Sequence, residues 1–367
     1  MPDRQRLTQT LMELIRIDSP TGEEDAIDAH LSNLLANLGA VVRHDDYGNL
    51  VATLAGSDGS ASQPPVMLSA HMDTVEPGRG IKPILDPDGE TLRSDGTTIL
   101  GGDCKAGLAI VVEGLTSAVE AGTPRRPVQV VFSRAEEGGL NGARNLDFSL
   151  VHAETGIVFD GEGPVSRICV GAPAQNIVQA NITGVAAHAG LEPENGVSAL
   201  LVAANILTRL PLGRIDEETT SNIGLLQGGL KRNIVPEHAY LDGELRSRNQ
   251  AKLDNYTAEF ERAFDQVASM YPLASIDLNI WSQYRAYSVS QDHPSLTLIS
   301  RCVDASGLTP STETTGGGSD ANVFFEHGIA ALPVGIGVRD FHTTRETANL
   351  SEIFDGARVC EALVAAE

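Results

Sequence analysis

No run of about 18 apolar residues, the length that crosses a bilayer, occurs in this chain. The best candidate, "GLAIVVEGL", is interrupted by Glu113, and the N-terminal "MPDRQRLTQT" lacks the apolar centre of a secretory signal. No membrane partner is expected, and the expected location is the cytoplasm. Cysteine is scarce: Cys104, Cys169, Cys302 and Cys360 lie far apart and form no CxxC pair. They are read as free thiols, which excludes a disulfide framework and an all-thiolate metal site. Without secretion, the acceptor tripeptides "NIT" at 181 and "NYT" at 255 are read as chance. Basic residues are also short, 26 against 49 acidic, for a net charge of −23. Nowhere do they gather into the stripe a phosphate backbone demands, so nucleic acid is excluded as a partner. What remains is 367 residues, 41% hydrophobic, with 37 glycines and 18 prolines, a turn-rich globular chain long enough for two cores.

Helical spacing marks "RLTQTLMELIRI", and in "TGEE" Thr21 and Glu24 have the spacing of a capping box for a second helix, "EDAIDAHLSNLLANLG". After the hairpin-type strand "DDYGNLVATLAG", strands "PPVMLSA", "PVQVVFSR" and "TGIVFD" alternate with the helix "CKAGLAIVVEGLTSAVEAG" and the short helix "GARNLD". This predicts an α/β fold with a mostly parallel sheet. From about residue 173 the pattern becomes α+β, with strands "AQNIVQANITGV", "NIVPEHAYLDGELRS" and "SIDLNIWSQYRAY" and helices "GVSALLVAANILTRL" and "KLDNYTAEFERAFDQVASMY". The α/β pattern resumes with the helix "PSLTLISRCVDASG" and the strand "ALPVGIG". The expected organisation is a first domain in two parts, 1–172 and 288–367, interrupted by an inserted domain of one sheet and two helices at 173–287.

Predicted strands of the first domain end on side chains that can hold a metal. "VMLSA" runs into His71, "VQVVFSRA" into Glu136 and Glu137, "GIVF" into Asp160 and "ALPVGIGVRDF" into His342, while Asp103 precedes the apolar helix. In open parallel sheets ligands collect at the carboxyl ends of strands, so these distant segments are expected to share one crevice. Taken singly, each has a plainer reading: a solvated glutamate pair, a turn histidine, a surface acid. His30, His44, His152, His293 and His327 have no comparable context and are read as structural or surface residues. Together, the imidazoles and carboxylates suit zinc, manganese or cobalt. Five ligands suit two ions about 3.5–4 Å apart with one carboxylate bridging. Adjacent residues point in different directions, so Glu137 can ligate while Glu136 is left as a general base. The HxD spacing also lets Asp73 hold the second ring nitrogen of His71.

The segments "SAHMDTV", "GGDCKAGLA", "RAEEGGLNGA", "VFDGE", "GVAAHAG", "NIVPEHAYLDGELRS", "GGGSDAN" and "FHTTRE" come in the order found in a known group. The chain resembles, over nearly its whole length, the dizinc exopeptidase and deacylase family of carboxypeptidase G, aminoacylase, succinyl-diaminopimelate desuccinylase and peptidase T. The wording "DxKAG", "FDGE" and "GGxDAN" is most similar to the peptidase T-like branch. The resemblance implies a zinc-exopeptidase catalytic domain carrying an inserted lid and dimerisation domain, two bound zinc ions and hydrolysis of short peptides. It places His71, Asp103 and Asp160 on one ion, and Asp103, Glu137 and His342 on the other. Glu136 is implied as general acid and base, Asp73 as the residue orienting His71, and the Asp103–Cys104 peptide as cis. His188 is implied to reach the scissile carbonyl, often from the second subunit of a homodimer. Asn233 and Arg246 match substrate-gripping positions, and Gly316, Gly317 and Gly318 can offer backbone N–H groups to the substrate. Asp160, where deacylases of the group tend to carry Glu, leans toward a peptidase. Cys104 stands where peptidase T-like relatives carry a second aspartate, and is read as a packing residue. Deacylation of N-acyl amino acids and carboxypeptidase action are the alternatives within the family. A metal-holding binding protein is the alternative outside it, disfavoured because a binder has no use for a base. Nucleotide binding at "TTGGGSDA" fails, since no Lys follows the glycines.

Overall fold

The computed structural model describes residues 1–57, 60–122 and 124–365. Two compact units emerge: Met1–Val170 with Ser288–Thr314 and Ser319–Glu367, and Gly171–Tyr287 with Thr315–Gly318. The second therefore interrupts the first in sequence.

In the first unit a mixed sheet runs in the order Val41–His44, Leu50–Leu54, Val128–Ser133, Val66–His71, Thr155–Gly161, Ala330–Gly335. The last four are parallel neighbours. The strands Val66–His71 and Val128–Ser133 are buried at every residue, which is why they read as continuous apolar runs rather than as alternation. In-register pairing sets His71 opposite Ser133, so both strands deliver their ends to one level. A small sheet of Val338–Arg339, Thr347–Asn349, Thr91–Arg93 and Ile84–Leu85 completes this unit's strand inventory among those that matter for the site.

The helix Gly102–Ala121 is apolar nearly all round and correspondingly buried, packed among Val66–His71, Arg4–Arg16 and Leu350–Val364. Glu113, the charge that breaks its apolar run, is 1% exposed and accepts from Arg6 Nε at 2.7 Å and from the Asp3 N–H at 2.6 Å. Close helix packing depends on a missing side chain at Gly114, where a Cβ would fall 2.6 Å from Cys360 Sγ and 2.7 Å from Cys360 Cβ. Gly114→Ala is expected to lower stability by about 1–3 kcal/mol through overpacking. A urea midpoint equal to the parent's would contradict this. The four cysteines are free and buried.

The expected capping box does not form. The helix Asp25–Asn37 starts without a side-chain cap. Thr21 donates to Asp73 instead, and Glu24 accepts from Arg134 and the Ala135 N–H. A local S/T-x-x-E pattern was outcompeted by tertiary partners.

The second unit is one antiparallel sheet in the order Gly213–Arg214, Thr219–Gly228, His238–Ser247, Ala174–Thr183, Ser275–Tyr284. Its helices Ala199–Leu207 and Gln250–Met270 cover one face, with Val178, Ile182, Val202, Ile206, Leu241, Phe260 and Phe264 in the core. Sequence patterning misses the strand Thr219–Gly228, because most of it is exposed and its "NIGLLQGG" shows no alternation. Among the described residues, no helix is long and apolar enough to cross a membrane.

Candidate metal centre

The first unit brings His71, Asp103, Glu136, Glu137, Asp160 and His342 together. Two sets of side-chain atoms, each within 4.8 Å of one another, share Asp103: one with His71, Cys104 and Asp160, the other with Glu137 and His342. The two oxygens of Asp103 divide the labour. Oδ1 lies 3.1 Å from His71 Nε2, which is also 3.5 Å from Asp160 Oδ1. Oδ2 lies 3.2 Å from His342 Nε2, which is 2.9 Å from Glu137 Oε1. Glu136 joins a third grouping with His71 and Glu137, so its carboxyl flanks the pair of sets without sharing Asp103.

Each side chain is aimed by its local backbone. His71 closes its strand, and its Nδ1 donates to the Asp73 backbone carbonyl at 2.9 Å, which leaves Nε2 facing Asp103. The Asp73 carboxylate is farther from the same nitrogen, 3.3 Å, and accepts the Glu136 and Glu137 N–H groups at 2.9 and 3.2 Å. It therefore orients the glutamate loop as much as the imidazole. The Asp103–Cys104 peptide is cis, as the resemblance implied. Glu346, 1% exposed, accepts from the N–H groups of Leu100, Gly101 and Asp103 at 2.8, 2.8 and 2.9 Å and so fixes the backbone that carries Asp103. His342 does not end a strand of the large sheet: that strand stops at Gly335, and the chain passes through Val338–Arg339 before turning. His342 sits in the turn of the small sheet with φ 61°, a left-handed conformation that swings its ring back over Asp103.

The electrostatics are those of a crowd of carboxylates awaiting positive charge. Burial, then repulsion from Asp160 and Asp320, pushes Glu136 well above the usual carboxylate range. Burial also raises Glu137, and pushes Asp160 up to about 7. Hydrogen bonds to Asp103 and Glu137 push His342 up to about 10. At His71 burial works against charge, but the carboxylates of Asp103, Asp160 and Asp73 favour the charged ring and raise it. Protons thus stand in for cations, which a divalent ion would displace.

Two further observations fit metal at these residues. Glu137 Oε1 is shut off from solvent and among the described residues has no well-aligned hydrogen bond; the His342 ring, with Nε2 2.9 Å away, offsets its charge where a bound ion would do so directly. The donors are oxygens and imidazole nitrogens around one shared carboxylate, a set suited to zinc, manganese or cobalt. Cys104 is within reach, but its thiol donates to Phe159 O at 2.7 Å and burial pushes its pKa well up, so it stays neutral and a poor ligand.

The other residues singled out in the sequence belong to the second unit. His188 is exposed, and its Nδ1 accepts from the N–H groups of Gly190 and Leu191 at 3.2 and 3.1 Å. The ring proton is therefore on Nε2, which is left as the donor. Asn233 lies alongside, its carbonyl accepting from the Ala189 N–H at 3.1 Å. Arg246 pairs with Glu244 through Nε at 2.9 Å and Nη2 at 2.8 Å. Of the three glycines, Gly317 directs its N–H to Thr315 Oγ1 at 3.0 Å, and Gly318 lies against Tyr284, whose hydroxyl would be 2.3 Å from a Cβ there.

Sequence reading missed Thr21, Glu24, Arg134, Asp320 and Glu346. The last three stand inside the quoted motifs "RAEEGGLNGA", "GGGSDAN" and "FHTTRE", which was the available signal. Asp320 is 2% exposed; Ser133 donates to its Oδ2, and its Oδ1 has no hydrogen-bond partner among the described residues.

Comparison with known proteins identifies the family. The profile of peptidase family M20/M25/M40 matches residues 67–366. The solved aminopeptidase PepT of Bacillus cereus ATCC 10987 is 36% identical with a TM-score of 0.88, over 100% of this chain and 99% of that one. A tripeptidase structure from Staphylococcus aureus is 34% identical with a TM-score of 0.92, over 100% and 98%. The uncharacterized protein YqjE of Bacillus subtilis (strain 168) is 35% identical over 99% of both chains.

Proposed function

The chain belongs to peptidase family M20/M25/M40, and from that premise we propose that it hydrolyses the amide bonds of short peptides, tripeptides foremost, with two divalent cations. The observation that carries this reading is Asp103 presenting one oxygen to His71, which also meets Asp160, and the other to His342, which also meets Glu137. His71, Asp103 and Asp160 hold one ion; Asp103, Glu137 and His342 hold the other. Zinc is the proposed metal, with manganese and cobalt as alternatives. Bound there, the ions supply Lewis acidity that polarises a carbonyl and brings the pKa of a water from 15.7 toward about 7.

The rest is done by the chain's own groups. Glu136 accepts the proton of the attacking water; the water oxygen bonds to the carbonyl carbon, the C–N bond breaks, and Glu136 returns the proton to the leaving amine. Asp73 holds the Glu136 N–H and receives the His71 ring through its own carbonyl, so base and ligand share one support. His188, with Nε2 as donor, is the proposed partner of the carbonyl oxygen as negative charge develops. Arg246 and Asn233 bind the peptide away from the bond that breaks, and Gly316 contributes a backbone N–H. A homodimer formed through the second unit is part of the same proposal, and sedimentation velocity reads it directly.

The function is tested by turnover of a free tripeptide panel against N-acetyl amino acids and carboxyl-terminal peptide substrates, each with zinc, manganese or cobalt. Tripeptide turnover that a chelator abolishes and metal restores is the expected result. Turnover of N-acetyl amino acids alone would make the protein a deacylase. No turnover at all with two metals bound would make it a binding protein.

A further inference from the structure

The connection between the first two helices lies beside the metal centre, bound edge to edge with the segment after His71. The Thr74 N–H donates to Ser19 O at 2.9 Å and the Thr21 N–H to Thr74 O at 3.3 Å. From this connection two side chains reach the loop that carries Glu136 and Glu137. Thr21 Oγ1 donates to Asp73 Oδ2 at 2.7 Å. Glu24, fully buried, accepts from the Ala135 N–H at 3.1 Å and from Arg134 Nε and Nη2 at 3.1 and 2.9 Å. Three consecutive amides are thus taken by two buried carboxylates: Ala135 by Glu24 Oε1, Glu136 by Asp73 Oδ1, and Glu137 by Asp73 Oδ2.

We propose that Thr21 and Glu24 are positioning residues for the glutamate loop, setting the directions in which Glu136 and Glu137 point. This rests on the peptidase reading above. The physical case is that the loop has no regular structure to aim it. Ala135 has φ 48°, a left-handed conformation costly for a residue with a Cβ, and is kept there by its surroundings. Because neighbouring side chains diverge, a rotation of these amides would move the base and the ligand together. Thr21 braces the carboxylate that holds two of the three, and its methyl faces the same loop, 3.3 Å from where a Cβ on Gly138 would stand. Yet Thr21 is exposed, so it adds little to the core. Residues that hold a ligand from behind commonly change metal affinity or activity about 10–100-fold when lost.

The test uses the full-length protein, with Thr21→Val removing only the hydroxyl and Thr21→Ser returning it. Cobalt(II) is titrated into metal-free protein, and tripeptide kcat and KM are measured after zinc loading. Thr21→Val is expected to lower kcat about tenfold with KM little changed and to weaken cobalt binding about tenfold. The thermal midpoint is expected to stay within about 2 °C of the parent's. Thr21→Ser is expected to restore both readings, and Glu24→Gln to lower them further. Parental kcat and cobalt affinity in Thr21→Val, or a loss that Thr21→Ser fails to repair, overturns the proposal. The peptidase reading is judged separately, by whether the parent turns over tripeptide at all, and the cobalt titration reports on the loop whichever way that falls.

Discussion

Glu136→Gln is expected to keep two metal ions bound and to lose about 10²–10⁴-fold in kcat, the range contributed by a positioned acid–base group. Gln has the shape of Glu but carries no exchangeable carboxyl proton. The variant therefore isolates proton transfer from packing. Glu136 groups with His71 and Glu137, and its N–H is held by Asp73. In the metal-free protein, burial beside Asp160 and Asp320 raises its pKa above the usual carboxylate range. Metal analysis of the purified variant alongside tripeptide kinetics checks both halves. Parental turnover would remove Glu136 from its role, and loss of an ion would make it a ligand.

Asp103→Ala is expected to lose both ions, a larger effect than any other single ligand change. Each of its oxygens faces a different imidazole, so its removal leaves neither set complete. It would also leave His71 and His342 without the carboxylate each one contacts. His342→Ala, by contrast, is expected to lose one ion, since only Glu137 and Asp103 share its set. Inductively coupled plasma analysis after zinc loading distinguishes these. Two ions per chain retained in Asp103→Ala would show that the sites are independent.

The parallel sheet and the residues at its crevice were legible because the physics is local and repetitive. Buried strands read as apolar runs, and a polar side chain immediately after one stands out, as at His71 and Asp160. His342 was assigned to the wrong element. The apolar pattern of "ALPVGIGV" conceals a break at Gly335 and a second, short strand, so only the fold shows that a left-handed turn aims the ring. The exposed strand Thr219–Gly228 was invisible for the opposite reason, having no buried face to pattern. Thr21 and Glu24 were misassigned because their spacing satisfies a helix cap, whereas long-range partners at Asp73 and Arg134 claim both side chains. Spacing identifies what residues can do locally; it does not identify distant competitors. The same limit hid Glu346, whose three amide partners lie more than two hundred positions away.

Anomalous diffraction from zinc-loaded crystals tests the shared-carboxylate centre most directly. Two peaks about 3.5–4 Å apart are predicted, one on each side of the Asp103 carboxylate, with Glu136 bound to neither. A single peak, or density remote from Asp103, would contradict it.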